Sequence, residues 1–229
     1  MTVVPPLDLV EETISVGGVT LAVLHPRDSE ALLNEEAFDR EEFLPYWAEL
    51  WASGLALASA VAAQRLEHRR VVELGCGLAL PSLVAAAAGA RVLATDWSPD
   101  AIALARLNAR RNAIELETAV CAWSAARAIT RRAPWHLVLA SDVLYERRNV
   151  ELLLDLLPRL VDERGEVLLA DPGRPHANIF FREAAAAWDI EADANGTVYR
   201  LRSASPAAAA RRGSRAAPRR RAGAPPRTA

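Results

Sequence analysis

The sequence predicts an α/β protein: a mostly parallel sheet flanked by helices, with an antiparallel hairpin at one edge. Three observations predict it. Strand-like and helix-like segments alternate from residue 71 to residue 187, the pattern of parallel strands joined by right-handed crossovers. The run Glu73-Leu74-Gly75-Cys76-Gly77 places a glycine turn between the first of these strands and its helix. Asn195-Gly196 separates two short β-prone runs after the alternation ends, which is a hairpin signal.

In chain order, residues 13–16 and 19–24 flank Gly17-Gly18 and read as a first hairpin. Residues 28–43 are acidic and predicted helical. Residues 49–66 have the apolar spacing of an amphipathic helix. Strands are predicted at 71–74, 91–95, 116–121, 136–141 and 165–170. Helices are predicted at 80–88, 99–112, 124–131, 147–160 and 175–187. Ser98-Pro99 supplies the second of these helices with a cap and a first-turn proline. The last hairpin pairs 188–192 with 197–201. From Ser203 onward the chain is Ala, Arg, Pro and Gly without periodicity, a composition that cannot bury enough apolar surface to order itself. The expected organisation is a hairpin and helical extension over 1–48, one α/β domain over 49–202 and a disordered tail over 203–229.

Composition narrows the function. At 229 residues and 52% hydrophobic, the chain suits one domain with a full core. All 27 basic residues are arginine, which reads as a coding bias. Residues 1–202 hold all 29 acids and 20 arginines, a balance of −9, and residues 203–229 hold seven arginines and no acid. An acidic body argues against a nucleic-acid partner despite the basic tail. Two cysteines make no disulfide framework, and the four histidines have no ligand spacing, so no metal is expected. The first residues lack the order of a signal peptide. The longest apolar run, 78–90, is too short to cross a bilayer. These features predict a cytoplasmic protein with no membrane partner.

The glycine turn suits a nucleoside. Gly75 and Gly77 allow the backbone to turn tightly and approach a ligand. Asp96 lies nineteen residues past Gly77, at the end of the next strand, and can accept from ribose hydroxyls. Leu80 stands where a dinucleotide site would want a third glycine, which disfavours a hydride cofactor. Asp142 and Tyr145 follow the strand at 136–141, so they belong to the same carboxyl edge of the sheet; the alternative for Asp142 is a helix cap. Trp47 and Trp51, four apart, are predicted to share a helix face and hold a cation or a base, or else simply to pack in the core. Asp171-Pro172-Gly173-Arg174-Pro175 is a stiff loop after the fifth strand. Its arginine either faces substrate at the site's mouth or closes the turn with Asp171.

Glu-Leu-Gly-x-Gly without the third glycine resembles the nucleoside-binding strand of S-adenosyl-L-methionine methyltransferases, in which an acid such as Glu73 is typical. Together with Pro45-Tyr46-Trp47-Ala48, the tryptophan after the third strand and Asp-x-x-Tyr after the fourth, it resembles the seven-β-strand protein lysine methyltransferases. Within them it looks most like the branch that acts on the β-subunit of electron-transfer flavoprotein. The resemblance spans about residues 40–202 and implies a seven-stranded Rossmann-like fold, S-adenosyl-L-methionine as cofactor and a lysine-bearing protein as partner. It implies cofactor contacts from Trp51, Glu73, Gly75, Cys76, Gly77, Asp96, Trp123 and Ser141. It implies catalytic or lysine-orienting roles for Asp142 and Tyr145; Trp47 and Arg174, read from their own positions, are the candidate substrate-facing residues. Ala122 departs from the family, where an acid often meets the adenine amino group. A small-molecule N- or O-methyltransferase and a non-catalytic binding module on the same scaffold are the alternative readings.

Overall fold

The structure, a computed structural model, describes residues 8–29 and 46–204. From residue 30, the helix predicted at 28–43 lies outside the described residues, as does the tail from residue 205.

The first hairpin pairs β1 (Leu9–Val16) with β2 (Val19–Pro26) around Gly17-Gly18. A seven-stranded sheet follows. In chain order its elements are β3 (Arg70–Leu74), α2 (Leu80–Ala87), β4 (Arg91–Asp96), α3 (Pro99–Arg111), β5 (Glu117–Val120), α4 (Arg127–Thr130), β6 (Leu137–Ser141), α5 (Arg147–Leu156), β7 (Glu166–Ala170), α6 (Pro175–Ala184), β8 (Trp188–Ala192) and β9 (Val198–Ser203). The helix α1 (Ala52–Ala62) precedes the sheet in sequence. The spatial order is β5-β4-β3-β6-β7-β9-β8. The pairs among β3 to β7 are parallel, and β9 is antiparallel to both β7 and β8. The expected parallel sheet with an antiparallel edge hairpin is what forms. The central strands are almost continuous apolar runs, as burial on both faces requires.

The first hairpin is a separate sheet, yet it is not detached. Ile14, Leu21 and Val23 are buried in the same core as Leu57, Val61, Leu83 and Leu104. Two amides on one face of α3 hold it. Asn108 Oδ1 accepts from the Leu24 amide at 2.7 Å, and its Nδ2 donates to the carbonyls of Leu24 at 3.1 Å and Leu78 at 3.2 Å. Asn112, one turn on, treats Ala22 in the same way, with both bonds at 2.8 Å.

The strands of the large sheet fall where they were predicted, to within a residue or two, whereas the first hairpin strand starts at Leu9, four residues before the predicted 13–16. Four helices are shorter than their pattern. The helix predicted at 49–66 runs only from Ala52 to Ala62, and residues Tyr46–Ala48 form a short 3-10 turn. Trp47 and Trp51 therefore do not share a helix face. Trp51 has extended backbone, and its indole N–H donates to the Tyr46 carbonyl at 2.7 Å, which holds the segment in a turn. Pro158 stops α5, whose last residues tighten into the 3-10 turn Leu157–Arg159. The helix predicted at 124–131 divides into a 3-10 turn, Trp123–Ala125, and the short α4. The helix predicted at 175–187 ends at Ala184, three residues early.

Candidate active site

Register alone assembles the site. Leu74 pairs with Thr95 on one side and with Ala140 on the other, and Ser141 pairs with Ala170. The residues that end or follow these strands (Gly75 to Gly77, Asp96, Ser141-Asp142 and Asp171) therefore meet at one carboxyl edge. Chain order reverses between β3 and β6, so this edge contains the switch point at which open α/β sheets bind ligands. A cleft of about 340 Å³ opens there, within the range of about 300–1,000 Å³ usual for small-molecule sites.

Asp96 and Asp142 line this one cleft, together with Trp47, Trp51, Gly75, Cys76, Gly77, Trp123, Ser141, Tyr145 and Arg174. Of the residues predicted to contact cofactor or substrate, only Glu73 does not. It is fully buried below the glycine turn, where its Oε2 accepts from the amide of Ser82 at 3.0 Å and from the Ser82 hydroxyl. It holds the start of α2 and does not face a ligand. Burial pushes its carboxyl up to about 8, against the pull of the Ser82 bonds, so it is mostly protonated at neutral pH.

The glycine turn is fixed from two sides. Gly75 and Gly77 have φ of +66° and +49°. A Cβ on Gly77 would stand 2.9 Å from the Trp47 carbonyl oxygen, so this glycine makes room for the aromatic segment. The Gly77 amide donates to Asp96 Oδ2 at 3.0 Å, and the Ser98 amide to Asp96 Oδ1 at 2.9 Å. Burial raises the Asp96 carboxyl and these amides oppose the shift. The buried Cys76 thiol is pushed well up by burial and by the nearby acids, which leaves it un-ionised and a poor nucleophile.

Asp142 has left-handed backbone, φ +58°. Ala79, another residue lining the cleft, is also at positive φ, +64°. Strain of this kind, of order 1–3 kcal/mol per residue, collects at functional sites. Asp142 Oδ1 accepts from Arg174 Nη1 at 2.5 Å, while its Oδ2 is buried, and the Ser53 hydroxyl is the other side-chain group that hydrogen-bonds to this carboxyl. Arg174 also reaches Asp171 Oδ2 at 3.3 Å. Asp171 is fully buried, and its Oδ1 accepts from the amides of Gly173 and Arg174, both at 2.8 Å. Arg174 is thus shared by two acids and bound more closely by Asp142. Burial raises the Asp142 carboxyl and Arg174 works the other way. Tyr145, half-buried, packs edge-on against Tyr46, with ring centroids 5.3 Å apart, and burial raises its hydroxyl.

Sequence reasoning missed several wall residues, among them Tyr46, Leu50, Gly54, Trp97 and Val143. Trp97, directly after Asp96, lines the cleft with 40% of its surface exposed. An aromatic next to a strand-end acid was the signal available for it. Gly54 brings α1 within 3.8 Å of the Ser141 hydroxyl, measured from the position of an added Cβ, and no local pattern marks it. Among the described residues no group of three or more His, Cys, Asp or Glu could hold a metal, and no helix is long and apolar enough to cross a membrane.

The strand order and the acid-braced glycine turn are those of the Rossmann-like methyltransferase fold. Solved structures agree on the fold. A 16S rRNA methyltransferase of T. thermophilus, in complex with AdoMet and guanosine, superposes with a TM-score of 0.62 at 15% identity, covering 87% of this chain and 52% of that one. A magnesium protoporphyrin IX methyltransferase from Synechocystis, with bound SAM, gives 0.53 at 17% identity over 76% of this chain and 95% of that one. Residues 45–187 match the lysine methyltransferase family, and the chain belongs to that family. It is 36% identical over 135 residues to the electron transfer flavoprotein beta subunit lysine methyltransferase of Xenopus laevis, covering 57% of this chain and 53% of the relative. A histone-arginine methyltransferase of Mus musculus is 27% identical over 128 residues, or 53% of this chain and 51% of that one. The chain spans about half the length of these curated relatives.

Proposed function

We propose that this chain is an S-adenosyl-L-methionine-dependent N-methyltransferase acting on protein lysine side chains, with an electron-transfer flavoprotein β-subunit as the acceptor. One observation carries the reading: Asp96 and Asp142 open onto the same cleft, one braced against the glycine turn and the other aimed from the next strand but one. The family and the Xenopus relative support the lysine acceptor.

The residues present fit the cofactor. Asp96 offers a carboxylate at the ribose end, Trp97 and Trp123 offer ring faces, and the Gly75–Gly77 turn leaves the backbone bare. When bound, the cofactor supplies an electrophilic methyl group on a sulfonium. The protein's task is then to hold an amine in line in a site with little water. A lysine amine is mostly protonated at neutral pH, with a reference pKa of about 10.4. Asp142 attracts and orients that ammonium. The aromatic wall of Tyr46, Trp51 and Tyr145 lowers the local dielectric, which favours the neutral amine needed for attack. The test is transfer of labelled methyl to purified flavoprotein subunits from the same organism, with Asp142→Asn as control. Because the chain contains no lysine, every labelled methyl-lysine belongs to the acceptor. Absence of methyl-lysine would refute the reading.

A second reading, an arginine acceptor, is favoured by the guanidinium that Asp142 already holds and by the mouse relative. Methyl-arginine in the same hydrolysate would select it.

A further inference from the structure

Arg174 occupies the place where an acceptor's cation is needed. Asp142 Oδ1 is taken by the guanidinium at 2.5 Å, Oδ2 is enclosed, with the buried Ser53 hydroxyl as a further, uncharged partner of the carboxylate, and the side chain as a whole is 11% exposed. Without a counter-cation this carboxylate would be a buried unpaired charge, which is costly in the free protein. Arg174 supplies one that never loses its proton. It also closes Asp142 to any other cation.

Arg174 has a second place to go. Asp171 Oδ2 lies 3.3 Å from the same Nη1, and two backbone amides fix Asp171 so that it cannot follow the guanidinium. Arg174 directly precedes α6 and lines the cleft with its side chain about a quarter exposed, so its head group has solvent on one side and two acids on the other. A small rotation trades one carboxylate for the other.

Resting on the lysine-acceptor reading above, we propose that Arg174 is a resident stand-in for the acceptor ammonium: it fills the seat on Asp142 in the free enzyme and withdraws to Asp171 when a substrate cation arrives. Neither acid is left unpaired in either state, so the exchange avoids the penalty of opening an empty ionic site. Only a side chain that brings its own positive charge to that depth displaces Arg174. A neutral side chain leaves the seat closed, which makes Arg174 a specificity-determining residue.

The probe is n-butylammonium, a lysine side chain without its backbone, titrated calorimetrically onto protein saturated with S-adenosylhomocysteine. Removing the resident cation in Arg174→Gln is expected to tighten n-butylammonium about tenfold, because the seat is no longer mostly occupied, with S-adenosylhomocysteine affinity held within about twofold. Adding Asp142→Asn to that variant is expected to cancel the gain. Unchanged or weaker n-butylammonium binding, with the cofactor site intact, overturns the proposal. Arg174→Met, apolar and of similar length, carries the same expectations if the glutamine variant fails to fold. The lysine acceptor and the cation seat are refuted by different outcomes. A gain in a protein that methylates no lysine-bearing polypeptide refutes the acceptor reading and leaves the cation seat standing. Turnover on a polypeptide without the gain does the reverse.

Discussion

The amide of Gly77 donates to the carboxylate of Asp96 across 3.0 Å, joining two residues nineteen positions apart into one unit at the sheet edge. Ser98 completes the brace from the other side. Asp96 therefore shapes the turn as well as presenting its carboxylate to the cleft. Asp96→Ala is expected to weaken S-adenosylhomocysteine binding by roughly 1–3 kcal/mol, as the loss of hydrogen bonds to a charged acceptor implies. Calorimetry would decide, and unchanged affinity would move the ribose elsewhere.

Substitution at Asp142 is expected to separate binding from turnover. Asp142→Asn tolerates the left-handed backbone and removes only the charge. Methyl transfer is expected to fall at least about 100-fold, because the amine loses its guide, while S-adenosylhomocysteine affinity stays as in the unmodified protein. A parallel loss of both would make Asp142 a structural residue.

Glu73 gives the fold a pH dependence of definite sign. Below the ordinary carboxyl value of 4.5, folded and unfolded chains both hold the proton. From there up to about 8 only the folded chain does, so rising pH favours unfolding through this window. Between pH 5.5 and 7.5 the protein is expected to lose roughly 2 kcal/mol through this group. Glu73→Gln should flatten that slope in denaturant titrations. An identical slope in the variant would refute it.

Asn108 is fully buried and serves three backbone partners on two elements. Asn108→Ala leaves those groups unpaired and is expected to cost about 1–3 kcal/mol. Hydrogen exchange should show the loss first at the amide of Leu24.

The strands were legible in the sequence because a buried parallel strand is a short apolar run with turn residues at its ends. The glycine turn and the strand-end acids were legible because their spacing follows from the β-α-β repeat. What was not legible depended on contacts between distant segments. The fourfold spacing of Trp47 and Trp51 mimics a helix, but one indole bond to Tyr46 and the fit of Trp47 against Gly77 hold that stretch in a turn. Glu73 has the right residue type for a ligand contact, yet the pleat turns it down into the protein, where Ser82 claims it. Arg174 was read as pairing with Asp171 or facing substrate. Its tighter bond is to Asp142, thirty-two residues away, and only the neighbouring ends of β6 and β7 reveal that.

The twin asparagines of α3 have a practical corollary. Because Asn108 grips both Leu24 and the carbonyl of Leu78, just past the glycine turn, the amino-terminal ribbon and the glycine loop hang from a single peg. Trimming the chain to begin at residue 49 would not liberate a tidy catalytic module. It would uncover the apolar surface now covered by Ile14, Leu21 and Val23 and slacken the loop from behind.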